Sequence, residues 1–201
     1  MIMNPVIDNS SASSSNRCSA VGVPETHWFI AIVKNNTEFV AQTKLMDKGY
    51  EAYVPFQNRI TVSPAGRKRT KKSVLIPTIV FVHCTELQRM EIVHYPFINR
   101  FMVDRTRAKD SFNHSPIAKI PSSQMDKLKF MVGNCDKDIV IEPLSVRLGD
   151  EVEVIRGSLK GLIGYVEENN HETHILIRID ALGYAGIKIN SSDIKIITHK
   201  I

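Results

Sequence analysis

The chain has 201 residues, 43% of them hydrophobic, with a net charge of +5 and an isoelectric point near 9.1. That length and apolar content suit one medium domain or two small ones and exclude wholesale disorder, and no apolar run approaches the roughly 20 residues that span a bilayer. Cys18, Cys84 and Cys135 are odd in number, far apart and form no CxxC pair. They read as free thiols in a reducing cytoplasm, which excludes a disulfide framework or a zinc knuckle.

Residues 1–25 are Ser- and Asn-rich without an apolar h-region, so they read as a disordered tail and not a signal peptide. Residues 26–134 mix strand-like and helix-like patterns. His27 to Val33 is a buried strand. Asn36 or Thr37 can cap the helix that follows, with Phe39, Thr43 and Met46 on one face and Gly49 closing it in the left-handed conformation. Tyr50 to Val62 reads as a strand bent at Pro55, and Val74 to Val82 as an almost unbroken apolar strand. Thr85-Glu86-Leu87-Gln88 fits a capping box for a second helix that stops near Tyr95-Pro96. Phe101 to Val103 is a short strand. Ser122 or Ser123 caps a third helix, with Met125, Leu128 and Val132 inward and Gly133 at its end. A sheet partly covered by helices follows, an α+β arrangement.

Residues 135–146 read as a linker, and 147–201 as a second domain dense in β-branched residues and glycine. Glu151–Arg156, Ile163–Glu168, His174–Asp180, Ala185–Ile189 and Ile194–Ile197 are five short strands. Gly157-Ser158, Asn169-Asn170, Leu182-Gly183 and Asn190-Ser191 mark the turns between them. Five short strands in so small a space favour an SH3-like barrel, because closure hides edges that a flat sheet exposes.

The charge is uneven. Residues 149–201 hold six Lys/Arg against eight Asp/Glu, hence −2, and the remainder 20 against 13, hence +7. From Ala52 to Thr85 there is no acidic residue, yet Arg59, Arg67, Lys68, Arg69, Lys71 and Lys72 are present. The turn signal Ser63-Pro64-Ala65-Gly66 puts Arg67 to Lys72 at or beside the tip of a long hairpin. Cations without competing carboxylates suit phosphate or an acidic protein; the plain alternative is a solvated loop. The run Val74 to Val82 reads as a central strand buried on both sides, with a partner over Ile79 and Phe81 as the alternative. His83-Cys84 with His94 matches no zinc spacing. There is no GxSxG, P-loop, HExxH or GxGxxG, so no enzyme, metal or cofactor is expected.

The run from Arg147 to Glu167, with Val152 and Val154 alternating with charges and glycines at 157, 161 and 164, looks like a KOW motif. With it stand His27-Trp28-Phe29, Phe39-Val40-Ala41, Lys48-Gly49-Tyr50-Glu51-Ala52-Tyr53-Val54-Pro55 and the basic stretch running into Val74–Val82. This ordered set, over residues 26–201, resembles the NusG family of transcription elongation factors, where an NGN domain precedes a KOW barrel. The family's Pro-Gly-Tyr is Pro77-Thr78-Ile79 here. The Ser-rich extension and the helix start at Ile120-Pro121-Ser122-Ser123-Gln124-Met125 are similar to the specialised UpxY-type antiterminators of capsular polysaccharide operons.

The resemblance implies docking on the clamp helices of RNA polymerase through Ile32, Ile76, Ile79 and Phe81. It implies that Arg67, Lys68, Arg69, Lys71 and Lys72 reach the nucleic acid of the elongation complex or the far side of the cleft. Ile163, Tyr165 and Leu182-Gly183-Tyr184 would offer the KOW barrel a ribosomal protein or a termination factor. The β-branched stretch Ile175 to Ile179 argues that this domain stays a barrel. The competing expectation is a KOW-type RNA-binding protein of ribosomes or RNA processing.

Overall fold

The computed structural model describes residues 24–62, 66–135, 137–142, 148–169 and 172–198. The tail with Cys18, the turn at Ser63-Pro64-Ala65, residues 143–147 of the expected linker, and Asn170 lie outside the described residues. No helix among the described residues is long and apolar enough to cross a membrane.

The first sheet is built around β1 (Thr26–Ile32), whose centre is buried on both faces. Along one side runs β5 (Ile79–Thr85), antiparallel and in register from Thr26 opposite Thr85 to Ile32 opposite Ile79, with β2 (Glu51–Tyr53) beyond it. Along the other side β1 pairs with β6 (Arg100–Phe101) and β7 (Lys119–Ile120). Alternation assigns the faces. Phe29, Ala31, Val80 and Val82 share one apolar cluster with Ala41 and Leu45 of α1 (Glu38–Asp47) and Ile92 of α2 (Glu86–Ile92). Trp28, Ile30, Ile79 and Phe81 share the other with Met125, Leu128 and Met131 of α3 (Ser122–Asn134).

Several local signals hold. Thr85 and Gln88 form the capping box of α2 in both directions, and Gly49 follows α1 at φ 87°. Others shift. The inward face of α1 is Glu38, Ala41 and Leu45, and of the face that holds Phe39, Thr43 and Met46 only Phe39 is part-covered, packing edge-on against Phe56 at 5.5 Å, while Met46 is 56% exposed. Helix α3 is capped by Pro121, one residue before Ser122 and two before Ser123, the expected caps, and turns Met131 rather than Val132 fully inward.

The run Val74 to Val82 is not one strand. It breaks at residues 75–78, where Leu75 N–H donates to Pro55 O at 2.9 Å and Thr78 takes φ 66°. Pro77, which cannot donate to a ladder, lies in the break, and the groups that hold the break are distant in sequence. The Glu38 carboxylate, 3% exposed, accepts the Thr78 N–H at 2.7 Å, and Thr78 O accepts from Val33 N–H at 2.8 Å. A β-branched residue with positive φ is strained, by about 1–2 kcal/mol on the left-handed backbone scale. Glycine escapes that strain but adds about 0.5–1 kcal/mol of unfolded-state entropy. Thr78→Gly is therefore expected to stabilise the chain by roughly 0.5–1 kcal/mol in denaturant unfolding. A lower midpoint would show that the Thr78 side chain contributes more than its backbone strain costs.

The C-terminal part is one six-stranded antiparallel sheet. Its strands are β8 (Ile139–Glu142), β9 (Glu151–Val154), β10 (Ile163–Asn169), β11 (Glu172–Ile179), β12 (Gly183–Ile189) and β13 (Ile194–Thr198), in the order β13-β9-β10-β11-β12-β8. The five expected strands are all present. The sixth, β8, comes from the stretch read as linker: Ile139, Val140 and Ile141 pair with β12 and close its free edge. At Gly164 an added Cβ would lie 2.6 Å from Leu176 O, so only glycine lets β10 approach β11 there.

The two sheets are in contact. Helix α3 packs on both β1 and β11, and Gln124 Oε1 accepts the Asp180 N–H at 2.8 Å. Gln57 donates to Lys137 O at 2.6 Å and accepts from Ile139 N–H at 3.1 Å. The apolar cluster holding Phe81 and Met125 continues into Val152, Ile177 and Ile179.

Candidate nucleic-acid and partner interface

Between β2 and β5 the chain leaves the sheet as a separate two-stranded hairpin, β3 (Phe56–Val62) and β4 (Lys68–Val74). Its register pairs Arg59 with Lys71, Thr61 with Arg69 and Val62 with Lys68. Directly opposed residues share a face, so Arg59, Arg69 and Lys71 lie on one side. Ile60, Val62, Lys68 and Lys72 lie on the other, where Ile60 and Val62 are 68% and 62% exposed. All five sequence-nominated cations, Arg67, Lys68, Arg69, Lys71 and Lys72, are exposed and confined to this one strand and its approach. Lys72 also has a local role, its Nζ lying 4.8 Å from the Phe56 ring centre and 5.9 Å from that of Phe39. A cleft of about 460 Å³ separates the hairpin from the start of α1, with Asn35 and Asn36 on one wall and Arg59 and Lys71 on the other.

Arg59 reaches Asp138 at 3.8 Å, both well exposed, a pair of little energetic weight. The two Gln57 hydrogen bonds are the firmer tie between the hairpin base and the segment that enters β8.

The second nominated group is brought together but covered. Ile79 and Phe81 belong to the same α3-facing cluster as Ile76, and Ile32 follows Ile30 on that face. Ile76, Ile79 and Phe81 are 8%, 5% and 0% exposed, and Ile32 is half-buried. Beside them Tyr53 has its ring centre 6.5 Å from that of Phe81, and burial pushes its phenol up to about 12. This face carries a polar rim that the sequence did not single out. Trp28 stacks on His83 at 4.9 Å, and Lys129 Nζ sits 4.2 Å from the Trp28 ring centre. Glu51 pairs with Lys129 at 2.9 Å and with His83 at 3.2 Å. These residues come from β1, β2, β5 and α3, so no local motif could announce that they meet.

His83 and Cys84 point to opposite faces of β5, as neighbours on a strand must. Cys84 is buried among the α1–α2 cluster, where burial pushes its thiol up to about 12. In the C-terminal sheet Ile163, Tyr165 and Leu182 are half-buried, while Tyr184 is buried and serves the core.

Comparison with known proteins identifies one family. The family model described as transcription termination factor nusG matches residues 26–129. No curated protein matches the sequence. Among solved structures, one described as "Domain interaction in Thermotoga maritima NusG" is similar at 16% identity and a TM-score of 0.45, over 86% of this chain and 98% of that one. Two conformations of an MjSpt4:Spt5 complex are similar at 14% and 16% identity, each with a TM-score of 0.25, over 86% and 87% of this chain and 99% of each of those. The family match takes in the whole first sheet, the basic hairpin and most of α3, more than half of the 201 residues, and the chain belongs to the NusG family of transcription factors.

Proposed function

We propose that this chain is an antitermination factor that binds RNA polymerase on its clamp helices and promotes read-through of a long operon. The observation that carries the reading is the gathering of Ile32, Ile76, Ile79 and Phe81 on one face of a sheet from which the basic hairpin also projects. An apolar face for the polymerase and a cationic arm for nucleic acid would bridge the cleft and favour the elongating state. The factor acts by binding, in the cytoplasm, and performs no chemistry of its own. Capsular polysaccharide genes are the proposed target, supported by the UpxY-like extension and α3 start. The C-terminal strands are read as a KOW barrel that recruits a ribosomal protein or a termination factor, supported by the β9–β10 motif.

Because three of the four apolar residues are covered, docking needs the covering elements to move. The test is co-purification with bacterial RNA polymerase, wild type beside Gln124→Ala, which removes the α3 hydrogen bond to Asp180. Retention by the wild type, raised in the variant, is the expected result, followed by read-through on candidate operons. A folded chain that retains RNA but no polymerase would overturn this reading in favour of an RNA-binding KOW protein.

A further inference from the structure

A second basic element lies on the opposite edge of the first sheet from the hairpin, and nothing above uses it. Between β6 and β7 the chain swings out from the β1 edge, with its neck closed by the Val103–Ile117 bridge and by Asp104 N–H donating to Pro116 O at 2.7 Å. The loop is held in shape by its own two carboxylates. Asp104, 5% exposed, accepts from the Thr106 N–H at 2.9 Å and hydroxyl at 2.6 Å and pairs with Arg107 at 3.3 Å. Asp110 accepts from the N–H groups of Phe112 at 2.9 Å and His114 at 2.8 Å, and pairs with the His114 ring at 3.6 Å. Burial pushes the Asp104 carboxyl up, but its Thr106 and Arg107 partners outweigh this and hold it below the usual range. The His114 N–H foremost holds Asp110 down as well. Both acids are thus engaged with the loop's own groups.

The cations around them are less engaged. Arg100, Arg105 and Lys109 are exposed and have no carboxylate within ion-pair distance among the described residues. At the root of the loop is a groove of about 320 Å³, within the range of small-ligand clefts of about 300–1,000 Å³. Ile32, Met102, Val103 and, from the β11–β12 turn, Ala181 give it apolar walls, and Arg100 and Arg105 also line it. At the loop's far end Phe112 is 79% exposed, the most exposed large hydrophobic side chain among the described residues.

We propose that this loop and groove hold a single nucleic-acid strand, with its phosphates on Arg100, Arg105 and Lys109 and an unstacked base on Phe112, as a contact separate from the hairpin. The combination selects the ligand. A duplex offers phosphates but keeps its bases stacked, so it has no use for a projecting ring. An acidic peptide satisfies the cations and leaves Phe112 idle. A single strand supplies both, alternating charge with flat π-faces, which is how sequence-tolerant single-strand sites are built. The loop's hydrogen-bonded backbone fixes where the ring is presented, so less ordering of the chain is lost on binding. The claim concerns the free chain and does not depend on polymerase docking.

The test uses the full chain with its hairpin cations replaced by glutamine, so that the second contact is read alone, and a labelled single-stranded oligonucleotide of mixed sequence, as DNA and as RNA. Phe112→Ala is expected to weaken binding about tenfold, with Phe112→Trp restoring it. Replacing Arg100, Arg105 and Lys109 by glutamine is expected to make the salt dependence shallower by about 2 in log–log slope. All four positions are exposed, and circular dichroism checks that the fold is kept. Affinity unchanged by both sets of substitutions overturns the proposal. So does equal binding of duplex with no effect of Phe112→Ala, or capture of an acidic peptide in place of either oligonucleotide. Polymerase retention is measured separately, so either idea can fail without the other.

Discussion

Phe81→Ala is expected to lower the unfolding free energy by about 3–5 kcal/mol. Phe81 is fully buried, central in β5 between β1 and β2, and belongs to the cluster that joins the first sheet to α3 and the C-terminal sheet. Removing the ring withdraws apolar area from the core and leaves a cavity that paired strands on both sides cannot close. Denaturant unfolding of the variant beside the wild type measures it. A loss below about 1 kcal/mol would mean that the cover over this face is loose and the ring is free for a partner. The result also decides how docking can be probed. A variant at Phe81 or Ile79 that loses polymerase reports the fold as much as the contact. Ile32, half-buried at the end of β1, is the least covered of the four, and because it also walls the groove below the β6–β7 loop its variant is read for polymerase and for oligonucleotide separately.

Replacing Arg67, Lys68, Arg69, Lys71 and Lys72 by glutamine is expected to leave the fold nearly untouched and to remove most salt-sensitive binding. Each single-strand phosphate contact contributes about 0.7 to the log–log salt slope, so five contacts contribute about 3–4. These positions are exposed on a hairpin that stands apart from the main sheet, and surface changes of this kind stay within about 0.5 kcal/mol. Lys72 is the exception. Its ammonium lies over Phe56 and Phe39, and losing that contact costs about 0.5–1 kcal/mol. Binding titrations from low to physiological salt, with unfolding curves alongside, separate the two effects. An unchanged slope would mean that the cations are a solvated surface and that the hairpin has no nucleic-acid role.

What the sequence determined by itself was whatever a few neighbouring residues decide. The Thr85–Gln88 capping box joins groups three positions apart, and it forms as read. The five C-terminal strands follow from β-branched runs between turn residues, and the basic stretch from Arg67 to Lys72 is contiguous in the chain. The errors came where partners are far apart. The break in Val74–Val82 falls at Pro77-Thr78, where the proline is a local signal of interruption, but the group that holds it, Glu38, lies 40 positions from Thr78. The strand inside the expected linker exists because β12 offered a free edge. The nominated docking residues came from the family resemblance; Ile32, Ile79 and Phe81 do share one face of β1 and β5, and Ile76 joins them from the break before β5, but their burial depends on α3 and on what packs against it. One of those ties, from Gln124 to Asp180, spans 56 positions. The groove between Ile32, Arg105 and Ala181 is likewise built from three separate segments. Periodicity, capping and turn chemistry act over a few residues and are written locally. Burial and cleft formation depend on which distant surfaces meet, and only the tertiary structure decides that.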